Sequence, residues 1–120
     1  MARQKLVADA VPCLVRVHSV HKSSSGSSRE RLLPKEHYDS MSVEPSLVHP
    51  DNILLVDDIL TMGSTLLGAA NRVAKIYLDA CIRGFVAMRT VGRIYKFREV
   101  WDPDITFVTL SSDGKAYRRS

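Results

Sequence analysis

Residues 53–65 read Ile-Leu-Leu-Val-Asp-Asp-Ile-Leu-Thr-Met-Gly-Ser-Thr, and no other stretch restricts the fold as much. The four apolar residues Ile53–Val56 suit a strand buried on both faces, the pattern of a parallel sheet. Asp57 and Asp58 follow where that strand is expected to emerge. A short loop with Thr61, Gly63, Ser64 and Thr65 then leads into the helical pattern of Leu66, Leu67, Ala70 and Val73. In an α/β sheet, ligands bind beyond the carboxyl ends of the strands. A loop that opens a helix there presents backbone N–H groups and the positive end of the helix dipole to a phosphate. Glycine at position 63 allows close approach to such an anion, so a side chain added there is expected to enter ligand space and leave the fold intact. The three hydroxyls can donate to phosphate oxygens, and the acidic pair can take ribose hydroxyls or a Mg²⁺. A phosphate cradle beside two carboxylates suits a phosphorylated sugar. The plainer alternative is a strand–turn–helix in which Asp58 or Ser64 only caps the helix. Capping needs one such residue, whereas Asp57, Asp58, Thr61, Ser64 and Thr65 make five.

The segment resembles the phosphoribosyl-pyrophosphate (PRPP) binding motif of type I phosphoribosyltransferases. That motif is a hydrophobic strand, two acidic residues, two variable positions, Thr, any residue, Gly, a small residue and Thr. The match covers thirteen contiguous residues with every functional position filled. Met62 stands where Thr is common, at a position that serves mainly through its backbone N–H. The resemblance implies an α/β fold, a small parallel sheet of type I phosphoribosyltransferase (Rossmann-like) type. It also implies PRPP or a nucleotide as ligand and Mg²⁺ as cofactor. Asp57 and Asp58 would then act on the ribose hydroxyls and the metal, and Thr61, Met62, Gly63, Ser64 and Thr65 on the 5′-phosphate. Some relatives carry Asp where Thr61 stands and use it as a base toward a purine, so its absence speaks against purine salvage in that style. Val11–Val43, with Val-Pro-Cys-Leu-Val-Arg at one end and Lys-Glu-His-Tyr-Asp-Ser-Met at the other, is similar to uncharacterised bacterial phosphoribosyltransferase-like proteins. The later Phe-Val-Ala-Met-Arg-Thr strand extends that similarity over most of the chain.

A chain of 120 residues is one domain, large enough for a real core. Hydrophobic and charged contents of 45% and 25% are those of a soluble globular protein. No apolar run approaches the roughly 20 residues of a membrane span, and Met-Ala-Arg-Gln-Lys lacks the apolar stretch of a signal peptide. Cys13 and Cys81 are too few for a disulfide framework or a zinc site. Both lie among apolar residues and read as reduced core thiols of a cytoplasmic protein. The net charge of +4 and a pI near 9.3 fit an anionic ligand. Basic residues cluster at Arg93–Arg98 and Arg118–Arg119, and nucleic-acid binding is left open and not specifically signalled.

Ala2–Ala10 reads as a short helical segment ended by Pro12, and Cys13–Val17 as a short strand. Ser19–Ser40 is a long polar stretch whose Ser-rich centre, residues 23–28, is expected to be mobile. Met41–Val43 is at most a brief strand resuming the sheet. The central strand is expected over Asn52–Val56, a helix from about Ser64 to Leu78, and a second strand over Ile82–Arg89. This β–α–β order implies a parallel crossover. Arg93–Trp101 and Ile105–Leu110 read as two strands joined by Asp102-Pro103-Asp104, with a final turn at Asp113-Gly114 and so a C-terminal β-hairpin.

A long loop inside a small domain points to function or to a wrong assignment of elements. The loop over about residues 19–40 stands where type I phosphoribosyltransferases carry the flexible loop that closes over PRPP. It contains Lys22, Arg29, Arg31, Lys35 and His37. The resemblance makes Lys22 the best candidate to stabilise the departing pyrophosphate. A solvated basic loop is the plain alternative. His37 and Tyr38 either shape a base pocket or pack where the loop rejoins the fold, and packing is the preferred reading. The earlier strand and pyrophosphate-binding turn usual in the family have no counterpart between Met1 and Val17. The chain is therefore a shortened version, or is completed by a second chain, or has lost catalysis. An open sheet edge also favours association, as a homo-oligomer or with a partner completing the sheet. The functional expectation is a phosphoribosyltransferase-like protein, with a non-catalytic PRPP or nucleotide sensor as the alternative. A basic nucleic-acid-binding protein is a weaker third.

Overall fold

The computed structural model describes residues 10–17, 32–45, 49–90 and 105–119. In chain order the elements are β1 (Leu14–Arg16), α1 (Pro34–Asp39), β2 (Met41–Val43), β3 (Asn52–Leu60), α2 (Ser64–Ile76), β4 (Cys81–Arg89), β5 (Phe107–Leu110) and β6 (Ala116–Arg119). The fold is a small α/β arrangement with three two-stranded sheets among the described residues.

β3, α2 and β4 form the centre. β3 and β4 pair in parallel from Asn52↔Cys81 to Leu60↔Arg89, as the β–α–β order implies. Two parallel neighbours need a connection that crosses back over the sheet, and the thirteen residues of α2 supply it. Alternation along the strands then decides which side chains meet the helix. Leu55 is buried, and a Cβ at its partner Gly84 would lie 2.4 Å from Leu66 Cδ2 of α2. That face therefore carries the core: Leu55 with Ala69, Val73 and Tyr77, and Met41 of β2. Val73 is 0% exposed. Leu54 (47%), Val56 (62%) and Phe85 (50%) lie on the other face and are exposed.

α2 is held on its other flank by α1 and β2. Gly68 makes the close approach of the two helices possible: a Cβ there would stand 2.6 Å from Pro34 O and 2.8 Å from His37 Cβ. α1 lies within the stretch expected as loop, so residues 34–39 are a correction. Three local features fold it. Pro34 occupies the first turn, where its fixed φ suits a helix and no N–H is needed. Glu36 Oε2 accepts the Leu33 N–H at 2.6 Å, and Lys35 bonds Asp39 one turn on at 2.6 Å. With only six residues and a leucine in the capping position, apolar periodicity had nothing to register.

Met41–Val43 is a strand, but it pairs antiparallel with β1, Leu14↔Val43 through Arg16↔Met41, in a sheet of its own. Among the described residues the expected sheet is thus reduced to one parallel pair. Val17 N–H to Ser40 O and Glu44 N–H to Cys13 O, both 2.8 Å, extend that separate ladder at its ends. The C-terminal hairpin is present, formed by β5 and β6 about the turn containing Asp113 and Gly114. Gly114 takes φ +79°, which an L side chain rarely adopts. Asp113 accepts from Ser111 Oγ and from Lys115 N–H. The Ser111 bond is the main reason its carboxyl sits below the usual carboxylate range. The helix expected at Ala2–Ala10 falls in residues 1–9, outside the described residues, apart from Ala10, which is not helical. The strand expected at Arg93–Trp101 and the Ser-rich centre of the loop also lie outside them. Neither cysteine is in a disulfide, and Cys81 is exposed rather than a core thiol, since it alternates with the inward-facing Ile82.

Candidate functional site

β3 runs past its expected end at Val56 to Leu60, so both carboxylates belong to the strand. Successive strand residues point to opposite faces, and Asp57 and Asp58 consequently diverge. Asp57 is half-buried on the face shared with Leu55, and Asp58 is exposed on the other. The Asp58 N–H donates to Asp57 Oδ1 at 2.9 Å. Among the described residues no cluster of three His, Cys, Asp or Glu side chains has the spacing to hold a metal. A Mg²⁺ bound here would draw on one carboxylate of the chain and otherwise on ligand oxygens and water, the usual manner for that ion with phosphate ligands.

Thr61, Met62 and Gly63 turn the chain from β3 into α2, with Gly63 in the capping position and Ser64 the first helical residue. Neither Asp58 nor Ser64 caps the helix, and no side chain makes a capping hydrogen bond to it. Capping therefore does not account for the polar residues of the loop. The first turn of any helix leaves N–H groups without helical acceptors, and these lie at the carboxyl end of a parallel strand. Gly63 is required for its left-handed backbone, φ +92° and ψ +10°. Its open side faces protein rather than ligand space. A Cβ there would lie 2.6 Å from Val108 Cγ1 of β5 and 3.5 Å from Leu60 Cδ1. The expectation that a side chain at 63 would spare the fold is overturned by this contact. Nothing local in the sequence signals Val108, because β5 comes from more than forty residues away.

Thr65 meets a residue from α1. Its Oγ1 lies 3.3 Å from His37 Nε2. His37 is 6% exposed, and its Nδ1 is buried without a hydrogen-bond partner. Burial pushes the imidazole below its ordinary value, and the Arg16 guanidinium adds to this. The charges of Glu36 and Asp57 act in the opposite direction. Ser40 ties the end of α1 in place, donating to His37 O at 2.8 Å and receiving Arg16 Nη1 at 2.9 Å. Packing is thus the outcome for His37. Tyr38 lies under Arg72, whose guanidinium carbon is 4.7 Å from the ring centre. Hydrogen bonding from Arg72, and then from Lys75, lowers its phenol from the ordinary value. The structure brings Thr65 and His37 together at the start of α2, with Asp57 of β3 near enough for its charge to act on the ring. Lys22, the residue expected to act on pyrophosphate, lies outside the described residues.

No family model matches the chain, and no curated protein and no solved structure matches it. Among the described residues no helix is long and apolar enough to cross a membrane.

Proposed function

We propose that the chain is a phosphoribosyltransferase-like protein that binds PRPP or a nucleoside 5′-phosphate through residues 53–65. One observation carries the reading: the loop after the parallel strand β3 opens a thirteen-residue helix whose first turn no side chain caps. That is an arrangement suited to a phosphate, through N–H groups and the dipole. Thr61, Ser64 and Thr65 add hydroxyl donors, while Met62 and Gly63 contribute backbone N–H groups. Asp57 and Asp58 would act on ribose hydroxyls, with Mg²⁺ arriving on the ligand. Lys22 would act on pyrophosphate if ribose 5-phosphate is transferred to a nitrogenous base. A cytoplasmic location belongs to the same reading, as does association into a homo-oligomer or with a partner completing the sheet. The exposed Leu54, Val56 and Phe85 support association, since parallel sheets are normally covered on both faces.

Binding without transfer is the second reading. The divergence of Asp57 and Asp58 favours it, because only one carboxylate shares the face of α2. Isotope transfer from labelled PRPP into purine and pyrimidine bases separates the two readings. Calorimetry with PRPP and with nucleoside 5′-monophosphates tests the shared premise, and the absence of binding by any of them sinks it. Steeply salt-dependent affinity for DNA or RNA in place of PRPP would instead support the nucleic-acid alternative.

A further inference from the structure

Resting on that phosphate-loop reading, we infer that His37 is a positioning residue for the loop: it donates from Nε2 to Thr65 Oγ1 and so frees the Thr65 hydroxyl proton for an anionic phosphate oxygen.

The geometry supplies the argument. His37 is held by its own helix, not by the loop it touches. α1 is pressed onto α2 at Gly68 and anchored at its end by Ser40 and Arg16. His37 is buried, 6% exposed, and its ring meets the first turn of α2 through Nε2. A neutral imidazole has one N–H and one lone pair, and a threonine hydroxyl has one proton and two lone pairs. If the proton sat on Nδ1, a buried N–H would have no acceptor, and Thr65 would spend its only proton on the ring. With the proton on Nε2, the bare Nδ1 is the atom left unpartnered, and the Thr65 proton is free to point away. A buried donor without an acceptor is the rarer and costlier of the two. The resulting chain, imidazole to hydroxyl to anion, strengthens as each bond polarises the next.

Burial is what chiefly favours the neutral ring. Arg16 of β1 faces it from one side, while Asp57 of β3 and Glu36 of its own helix oppose Arg16. The ligand class is the terminal phosphate monoester of a sugar or nucleotide, since the freed donor lies among the unpaired N–H groups of the helix start.

The test uses the full chain and two readouts. Without ligand, the ¹⁵N shifts of the His37 ring should show the Nε2–H form near neutral pH, and Thr65→Val should move the Nε2 signal. A ring protonated on Nδ1 overturns the inference. Inorganic phosphate and ribose 5-phosphate are then titrated while the amides of Gly63, Ser64 and Thr65 are followed. His37→Gln, which keeps a donor, should bind close to wild type. His37→Leu and Thr65→Val should each lose about tenfold, the loss expected for one hydrogen bond to a charged group. The double variant should be no weaker than Thr65→Val alone. A wild-type response that His37→Leu leaves unaltered overturns only this inference, whereas no amide response in the wild type overturns the phosphate-loop reading with it. If His37→Leu does not fold, the ring shifts and the glutamine variant still decide.

Discussion

Replacing Gly63 with alanine separates two costs that the structure places at one residue. The first is conformational: φ is +92° there, and an L residue held in that region loses about 1–2 kcal/mol. The second is steric. The new Cβ would stand 2.6 Å from Val108 Cγ1 and 3.1 Å from Val108 Cγ2, and overpacking of this kind costs about 1–3 kcal/mol. Val108 is β-branched and has few rotamers with which to withdraw. Gly63→Ala is therefore expected to lower unfolding stability by about 2–5 kcal/mol. Gly114 provides the control, since its φ is +79° and a Cβ would meet nothing within 4 Å. Gly114→Ala should show the conformational cost alone, about 1–2 kcal/mol. Urea unfolding of both variants, and of Gly63→Ala combined with Val108→Ala, measures the difference. The double variant should recover about 1–2 kcal/mol relative to additivity, because both overlapping methyl groups of Val108 have gone. Equal losses at positions 63 and 114, or additivity within about 0.5 kcal/mol in the double variant, would refute the placement of β5 over the loop.

Gly68→Ala gains about 1 kcal/mol of helix propensity but drives a Cβ into Pro34 O and His37 Cβ. A net loss of about 1–2 kcal/mol in urea unfolding is expected, with the Thr65 amide signal displaced; a stabilised variant would show that α1 does not rest on α2. Asp57→Asn with Asp58→Asn should weaken PRPP binding and remove most of its Mg²⁺ dependence by calorimetry, whereas wild-type affinity would remove both carboxylates from the site. His37 should make stability pH-dependent. Its folded-state value is lowered by burial first and Arg16 second, so the unfolded chain takes up a proton that the folded chain resists. Stability should be full above about pH 6.5 and fall as the pH drops from there through the depressed folded value. His37→Gln should flatten that decline in urea midpoints measured from pH 5 to 8, and an unchanged slope would assign it to other groups.

The β3–α2–β4 unit was legible from residue types alone. Ile53–Val56 and Phe85–Met88 are apolar runs of strand length, and Gly63 and the helical spacing from Leu66 to Val73 mark the turn between them. Each is a local pattern, and a parallel pair leaves few other ways to connect them. α1 was less legible, for its stability rests on a proline, one glutamate reaching back and the surface of α2, not on a repeating apolar face. What the sequence could not reveal depends on residues distant in the chain. The divergence of Asp57 from Asp58 follows from β3 continuing to Leu60, which its pairing with Arg89 of β4 sustains. Val108 closing over Gly63, and His37 reaching Thr65 from twenty-eight residues away, exist only once β5 and α1 are packed on the loop. Local sequence thus set the elements and the candidate phosphate turn. Tertiary packing decided which of its groups face protein and which stay open, because side-chain direction is fixed by neighbours that adjacency in the chain does not specify.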